Sequence, residues 1–156
     1  MNITLEEKSQ KQLMKLLDDE RFRNLFDKWL YYISQKIQSR IKHDVGDFEA
    51  TGQLFQSLSP TMKITEMFYK FGFLASYAEY VNAGTKPHMP PKGALIEWVK
   101  IRFGVDDKEA KGLDYVIRKK IARRGTQGKK FMEEGINSVN VENELRTLIR
   151  KWQNVN

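Results

Sequence analysis

Apolar residues return every three or four positions through the first third of the chain. Phe22, Phe26 (or Leu25), Trp29 (or Leu30), Ile33, Ile37 and Ile41 form one stripe of an α-helix, with polar residues filling most of the positions between. Thr4 and Glu7 have capping-box spacing, so a helix can open there, and Gly46 is the first clear stop. One helix from about Leu5 to His43, or two meeting near Asp18-Asp19-Glu20, both fit this pattern. A helix that long exceeds the usual globular length. Its stripe needs cover from a sheet or a neighbouring subunit, a first pointer to an oligomer.

Past Gly46 the pattern changes. Thr51-Gly52 opens TGQLFQSLSP, and Pro60 closes it. The segment TMKITEMFYKFGF partly alternates and is rich in Thr, Ile, Phe and Tyr, which predicts a strand over Met62 to Phe71 with a bulge or helical turn. A shorter strand or helical turn over Tyr77 to Asn82 follows as its hairpin-like partner, ended by Gly84. Lys86-Pro87-His88-Met89-Pro90-Pro91 is a stiff, extended connection, because a residue preceding Pro is pushed away from helical angles.

Pro91 near its start and Gly104 at its stop bracket the next helix, with Leu95, Ile96, Trp98, Val99 and Phe103 as its apolar side. Asp106 or Asp107 caps another, with Glu109 in its first turn. Leu113, Val116 (or Ile117) and Ile121 (or Lys120) line it as far as Arg124. Gly125-Thr126-Gln127-Gly128 breaks the chain. A short helix over Phe131 to Val139 and a last one over Val141 to Trp152 complete the reading, the last with Leu145, Leu148, Ile149 and Trp152 on one side. The expected fold is α+β, a helix-rich single domain over 1–156 with a long N-terminal helix and a small antiparallel sheet. Its parts are an N-terminal helical segment (1–45), a core (46–139) and a C-terminal helix (140–156).

Composition narrows the class. A 40% hydrophobic, 30% charged chain with nine Phe, six Tyr and three Trp can build a core, so disorder throughout is not expected. Cysteine is absent, which removes disulfides, zinc–thiolate sites and thiol catalysis. No run of about 18 apolar residues occurs, so no membrane span is expected. MNITLEEKSQ lacks a basic region followed by an apolar run, so no secretory signal is expected either, and its Asn2-Ile3-Thr4 sequon is a chance match.

The net charge of +7 is unevenly placed. Between Val116 and Lys130 stand Arg118, Lys119, Lys120, Arg123, Arg124, Lys129 and Lys130, with no acidic residue. Such a run suits phosphates or an acidic protein surface. It equally suits a solvated helix face whose cations complement the macrodipole.

Reactive constellations are missing. Gly125-Thr-Gln-Gly-Lys-Lys has two residues between its glycines where a P-loop needs four, Phe131 stands where Ser or Thr should, and a helix precedes it in place of a strand. His43 and His88 lack partners at metal-ligand spacing. Ser57, Ser59 and Ser76 lack a nucleophile setting. Asp18, Asp19 and Glu20 point in different directions on a helix. No catalytic, cofactor or metal site is expected, and the chain does not read as an enzyme. Phe68, Tyr69, Phe71, Phe73, Tyr77 and Tyr80 have only Lys70 among them, so packing in a core or interface is a better reading than base stacking.

TGQLFQSL, YAEYVNAGTKPHMPP, ALIEWVKIRFG and IARRGTQGKKFMEEGINSV together resemble the neck or tail-completion proteins of tailed bacteriophages, often labelled minor capsid or head–tail joining proteins. The resemblance covers about Thr51 to Val139. Its most specific elements are Thr51-Gly52-x-Leu54-x-x-Ser57, Tyr77-Ala78-x-Tyr80-Val81-x-x-Gly84-Thr85, and Arg124-Gly125-Thr126 leading to Phe131. The family often carries an acidic and an aromatic residue before Gly-Thr. Asn82 and Ala83 stand there instead, which removes that carboxylate but keeps the turn.

The resemblance implies a structural virion protein, made in the host cytoplasm and built into the neck. It would form a six- or twelve-fold ring of its own copies, against adjacent neck, portal-side and tail proteins, with double-stranded DNA crossing the lumen. Interface residues would include Tyr77, Tyr80, Thr85, Lys86, His88 and Thr126. Residues facing DNA or an acidic partner would include Arg118, Lys119, Arg123, Arg124, Lys129 and Lys130. A second reading from the charge run alone is a small basic nucleic-acid-binding protein.

Overall fold

Two helices, and not one, occupy the N-terminal third of the computed structural model, which describes residues 6–48 and 52–155. In chain order the elements are α1 (Glu7–Leu16), α2 (Glu20–Phe48), α3 (Gln53–Gln56), β1 (Met62–Thr65), β2 (Phe68–Lys70), α4 (Ala78–Ala83), β3 (Gly84–Thr85), α5 (Ile96–Phe103), α6 (Asp107–Arg124), β4 (Thr126–Gln127), α7 (Phe131–Asn137) and α8 (Val141–Val155). The expected capping residue Thr4, the helix start at Leu5, and Thr51 lie outside the described residues. The fold is α+β and helix-rich, with two small antiparallel two-stranded sheets among the described residues.

Asp19 is why the first helix stops and the second begins. Its carboxylate accepts the amides of Arg21 (2.8 Å) and Phe22 (3.3 Å), the pattern of an N-cap on α2. On the other side of the break, the Arg23 guanidinium donates to the Leu17 carbonyl at 2.9 and 3.1 Å, satisfying an end group of α1. The acidic cluster is therefore a capped corner. Gly46 does not end α2, contrary to expectation, and the helix runs on to Phe48. A lone glycine costs a helix only about 1 kcal/mol, and its neighbour Val45 is fully buried.

The described residues gather into two compact units interleaved in sequence. The first holds 6–41, 60–71 and 134–155. Its core joins Leu13 of α1, Phe22 and Phe26 of α2, and Leu145, Leu148 and Ile149 of α8. Trp152 meets Phe22 edge-on at 5.4 Å. Each such buried side chain contributes roughly 1.5–3 kcal/mol. Polar groups bind the rim: Glu142 accepts from Ser9 and from Arg146 (3.1 Å), and Arg146 also reaches Glu6 at 2.5 Å.

The strand expected over Met62 to Phe71 is instead a hairpin. β1 pairs antiparallel with β2 (Met62 with Lys70, Lys63 with Tyr69), and the chain reverses at Glu66-Met67, where Met67 takes φ +57°. A two-stranded hairpin is marginal alone. Here Asp27 of α2 anchors it, accepting from Lys63 Nζ at 2.5 Å and from the Met67 amide at 2.8 Å. Tyr77 to Asn82 is not its partner. That stretch forms the helix α4, and β2 takes the pairing.

The second unit holds 42–59 and 72–133. Val45, Leu54, Ala78, Val99, Ala110 and Phe131 are its buried apolar residues. α5 packs on α6, and Val99 of α5 and Ala110 of α6 are both fully buried. Trp98 and Phe103 do not face that core as expected. They are 37% and 54% exposed and stack edge-to-face on each other at 5.8 Å. Of the alternatives on α6, Ile117 and Ile121 turn inward, while Val116 and Lys120 are exposed. Asp106 caps α6 through the Glu109 amide (2.9 Å), and Gly104 ends α5 at φ +64°.

Candidate functional site

Two turns more than forty residues apart in sequence are clasped together. β3 and β4 pair antiparallel, Gly84 with Gln127 and Thr85 with Thr126. The Thr85 and Thr126 hydroxyls are 3.0 Å apart, and the Thr126 amide donates to the Thr85 hydroxyl at 3.2 Å. Beyond β4 the Lys129 amide donates to the Val81 carbonyl (2.9 Å) and the Lys130 amide to that of Asn82 (3.0 Å).

Glycine makes this approach possible. A methyl group on Gly84 would overlap the Thr126 carbonyl, one on Gly125 the Thr85 carbonyl, and one on Gly128 the Asn82 carbonyl. Gly84 and Gly125 also sit at φ +80° and +69°, which other residues rarely adopt. The motifs Ala-Gly-Thr and Gly-Thr-Gln-Gly are thus two halves of one backbone contact.

Asn82 completes the clasp. Its carboxamide oxygen accepts the Met132 amide at 2.9 Å, and its nitrogen donates to both carboxylate oxygens of Glu133 (3.0 and 3.2 Å). It does for α7 what an N-cap residue does, but from another element. Phe131, the first residue of α7, is buried and meets Phe73 edge-on at 5.3 Å.

The proline connection is anchored from α6. Asp114 is 3% exposed, and its carboxylate accepts the amides of Leu95 (3.1 Å) and Gly93 (3.3 Å) and the Arg118 Nε (2.9 Å). Arg118 also donates to the Pro90 carbonyl at 3.1 Å. Burial pushes the Asp114 pKa up, but the Leu95 and Gly93 amides and the Arg118 guanidinium outweigh it and hold the group below the usual carboxylate range. At the other end of the connection, His88 Nδ1 lies 2.9 Å from the Lys86 carbonyl oxygen.

The structure distributes the expected site residues unevenly. Thr85 and Thr126 meet directly. Tyr77 and Tyr80 are exposed at the start of α4 and within it, and Lys86 and His88 are exposed on the proline connection. Lys119, Arg123 and Arg124 are exposed on α6, and Lys129 and Lys130 are exposed after β4. Arg118 differs from these. Its side chain is 12% exposed and committed to Asp114 and Pro90, so it is not part of the exposed cationic face expected to include it. The aromatic run is likewise split: Phe73 packs on Phe131, whereas Phe68 and Tyr80 are 54% and 61% exposed.

Asn82, Glu133 and Asp114 do the positioning, and sequence reading gave them no role. Asp114 and Arg118 carried a signal in their i, i+4 spacing. Asn82 carried none, because its partners lie some fifty residues away. Nearly every polar atom named in the clasp is satisfied within it, so the arrangement fixes a shape. Among the described residues no group of three His, Asp or Glu is placed to hold a metal ion, and no helix is long and apolar enough to cross a membrane. In comparisons with known proteins, no family model, curated protein or solved structure matches the chain.

Proposed function

We propose that this chain is a structural subunit of the neck of a tailed bacteriophage, forming a ring that joins the DNA-filled head to the tail. The observation that carries the reading is the clasp. Two of the sequence segments on which the resemblance rests, Tyr77 to Thr85 and Arg124 to Phe131, are bound to each other by backbone pairing and by glycines at close approach. Segments that share one geometric job are what a recurring structural module would keep in fixed order and spacing.

The exposed apolar side chains support assembly. Tyr80 beside the clasp, Met89 on the proline connection, and Trp98, Ile101 and Phe103 on α5 are all more than a third exposed. Cyclic closure uses head-to-tail contacts, which need two different surfaces on each copy. In this reading Tyr77, Tyr80, Thr85, Lys86, His88 and Thr126 lie at or near such a contact.

Electron microscopy of virions produced with the gene removed tests the role. The expected result is filled heads and separate tails. Normal attachment of tails in that mutant would end the proposal. Mass measurement of the purified protein, alone and with candidate neck partners, tests the ring itself.

The second reading, a small basic nucleic-acid-binding protein, is favoured by one observation only: the cationic face of α6. It requires tight duplex binding by the isolated chain.

A further inference from the structure

Helix α6 has two chemically different sides. Ala110 and Asp114 are buried, and Leu113, Ile117, Arg118 and Ile121 are half-buried. Opposite them run two parallel rows at i, i+4 spacing, Tyr115–Lys119–Arg123 and Val116–Lys120–Arg124, with all six residues exposed. No acidic residue stands between Tyr115 and Lys130. The acids of α6 lie elsewhere: Asp107 and Glu109 in its first turn, with Asp107 held by Lys100, and Asp114 on the buried side. Lys119, Lys120, Arg123 and Arg124 have no carboxylate partner among the described residues.

The helix dipole does not explain the pattern. It favours cations within the last turn, which accounts for Arg123 and Arg124 but not for Lys119 and Lys120. We infer that this double row is a contact surface for the phosphate backbone of duplex DNA, driven by charge and indifferent to base sequence.

Other anionic partners fit less well. A helix lying on a membrane needs a free apolar face, and that of α6 is packed on α5. Protein interfaces are depleted of Lys at their centres, whereas Lys119 and Lys120 stand mid-row. Single strands need aromatic platforms; the one aromatic here, Tyr115, has the Lys119 ammonium 4.7 Å from its ring centre. The inference rests on the cationic face of α6, the observation that also favours the second functional reading, and does not depend on the neck reading.

Fluorescence anisotropy of the full chain on a labelled duplex of about 30 base pairs, between about 50 and 200 mM salt, is the test. Four neutralised phosphates give a slope of log K against log salt of about −3 to −4, a loss of roughly a hundredfold across that range. Affinity at physiological salt should be weak, on the order of 10⁻⁴ to 10⁻⁶ M. The variant K119Q/K120Q/R123Q/R124Q should flatten the slope to near zero. A variant with the same charge loss elsewhere, K8Q/K15Q/K28Q/K151Q, should keep the wild-type slope within about one unit. All eight side chains are exposed, and circular dichroism checks that both variants fold.

Equal flattening by both variants would overturn the inference, because net charge alone would then explain binding. So would capture by anionic vesicles or polyglutamate with none by duplex. Failure here leaves tail attachment in virions untouched, so the two proposals fall separately. Nanomolar binding at physiological salt would instead favour the nucleic-acid-binding protein and still locate its surface.

Discussion

Asn82 of α4 holds the first turn of α7 through the Met132 amide, 2.9 Å away and fifty residues on. Its amide nitrogen simultaneously binds the Glu133 carboxylate. Replacing it by Ala removes both contacts and should destabilise the chain by about 1–2 kcal/mol. Asn82→Asp keeps the acceptor for Met132 but sets a second carboxylate against Glu133, so it should recover only part of that loss. Urea unfolding measures both. An Asn82→Ala midpoint indistinguishable from wild type would remove Asn82 from the clasp.

Gly125 and Gly128 are in close backbone contact, whereas Gly112 stands in open space. Gly125→Ala would drive a methyl into the Thr85 carbonyl at a backbone angle that alanine resists, and Gly128→Ala would strike the Asn82 carbonyl. Each should cost about 2 kcal/mol or more. Gly112, inside α6, has nothing near its missing side chain. Gly112→Ala should therefore stabilise by about 0.5–1 kcal/mol. Opposite signs in thermal melts are expected, and a shared sign would contradict this reading of the backbone contacts.

Asp114 makes a pH-dependent contribution. Its pKa is held below the ordinary carboxylate value, so the folded state binds this proton less readily than the unfolded chain. The stabilisation is complete above the unfolded value, about 3.9, and is lost as pH falls through the folded one. Asp114→Ala should cost about 3 kcal/mol at neutral pH, because it strands a largely buried guanidinium and two amides. Asp114→Asn should show a flatter decline in stability on acidification than the wild type. Parallel curves for wild type and Asp114→Asn would show that this carboxylate is not coupled to folding.

Asp27 tethers the β1–β2 hairpin. Its side-chain hydrogen bond to Lys63, followed by the Met67 amide, lowers its pKa. Asp27→Ala should release the hairpin while leaving the core of α1, α2 and α8 intact. Hydrogen exchange should quicken at Met67 and along β1 and β2, with the amides around Phe22 and Leu145 unchanged. Exchange that rises everywhere would mean that Asp27 supports the whole unit.

Periodicity, together with caps and stops, located most helices. The stripe from Phe22 to Ile41, the Asp106 cap, the Gly104 stop and the apolar side of α8 are local patterns, set by residues within a turn or two of each other. The helical content of an α+β chain, the absence of cysteine chemistry and the acid-free run after Tyr115 followed from the residues themselves. What neighbours in sequence cannot specify, the tertiary structure decided. It split a strand at Met67 because Asp27 waits on another element, carried α2 past Gly46, and turned Trp98 outward and Arg118 inward. It also joined Gly84 to Gln127 and Asn82 to Met132. The reason is range: caps and stripes act over about four residues, whereas a backbone approach or a buried carboxylate is fixed only when distant segments compete for the same space and the same hydrogen bonds.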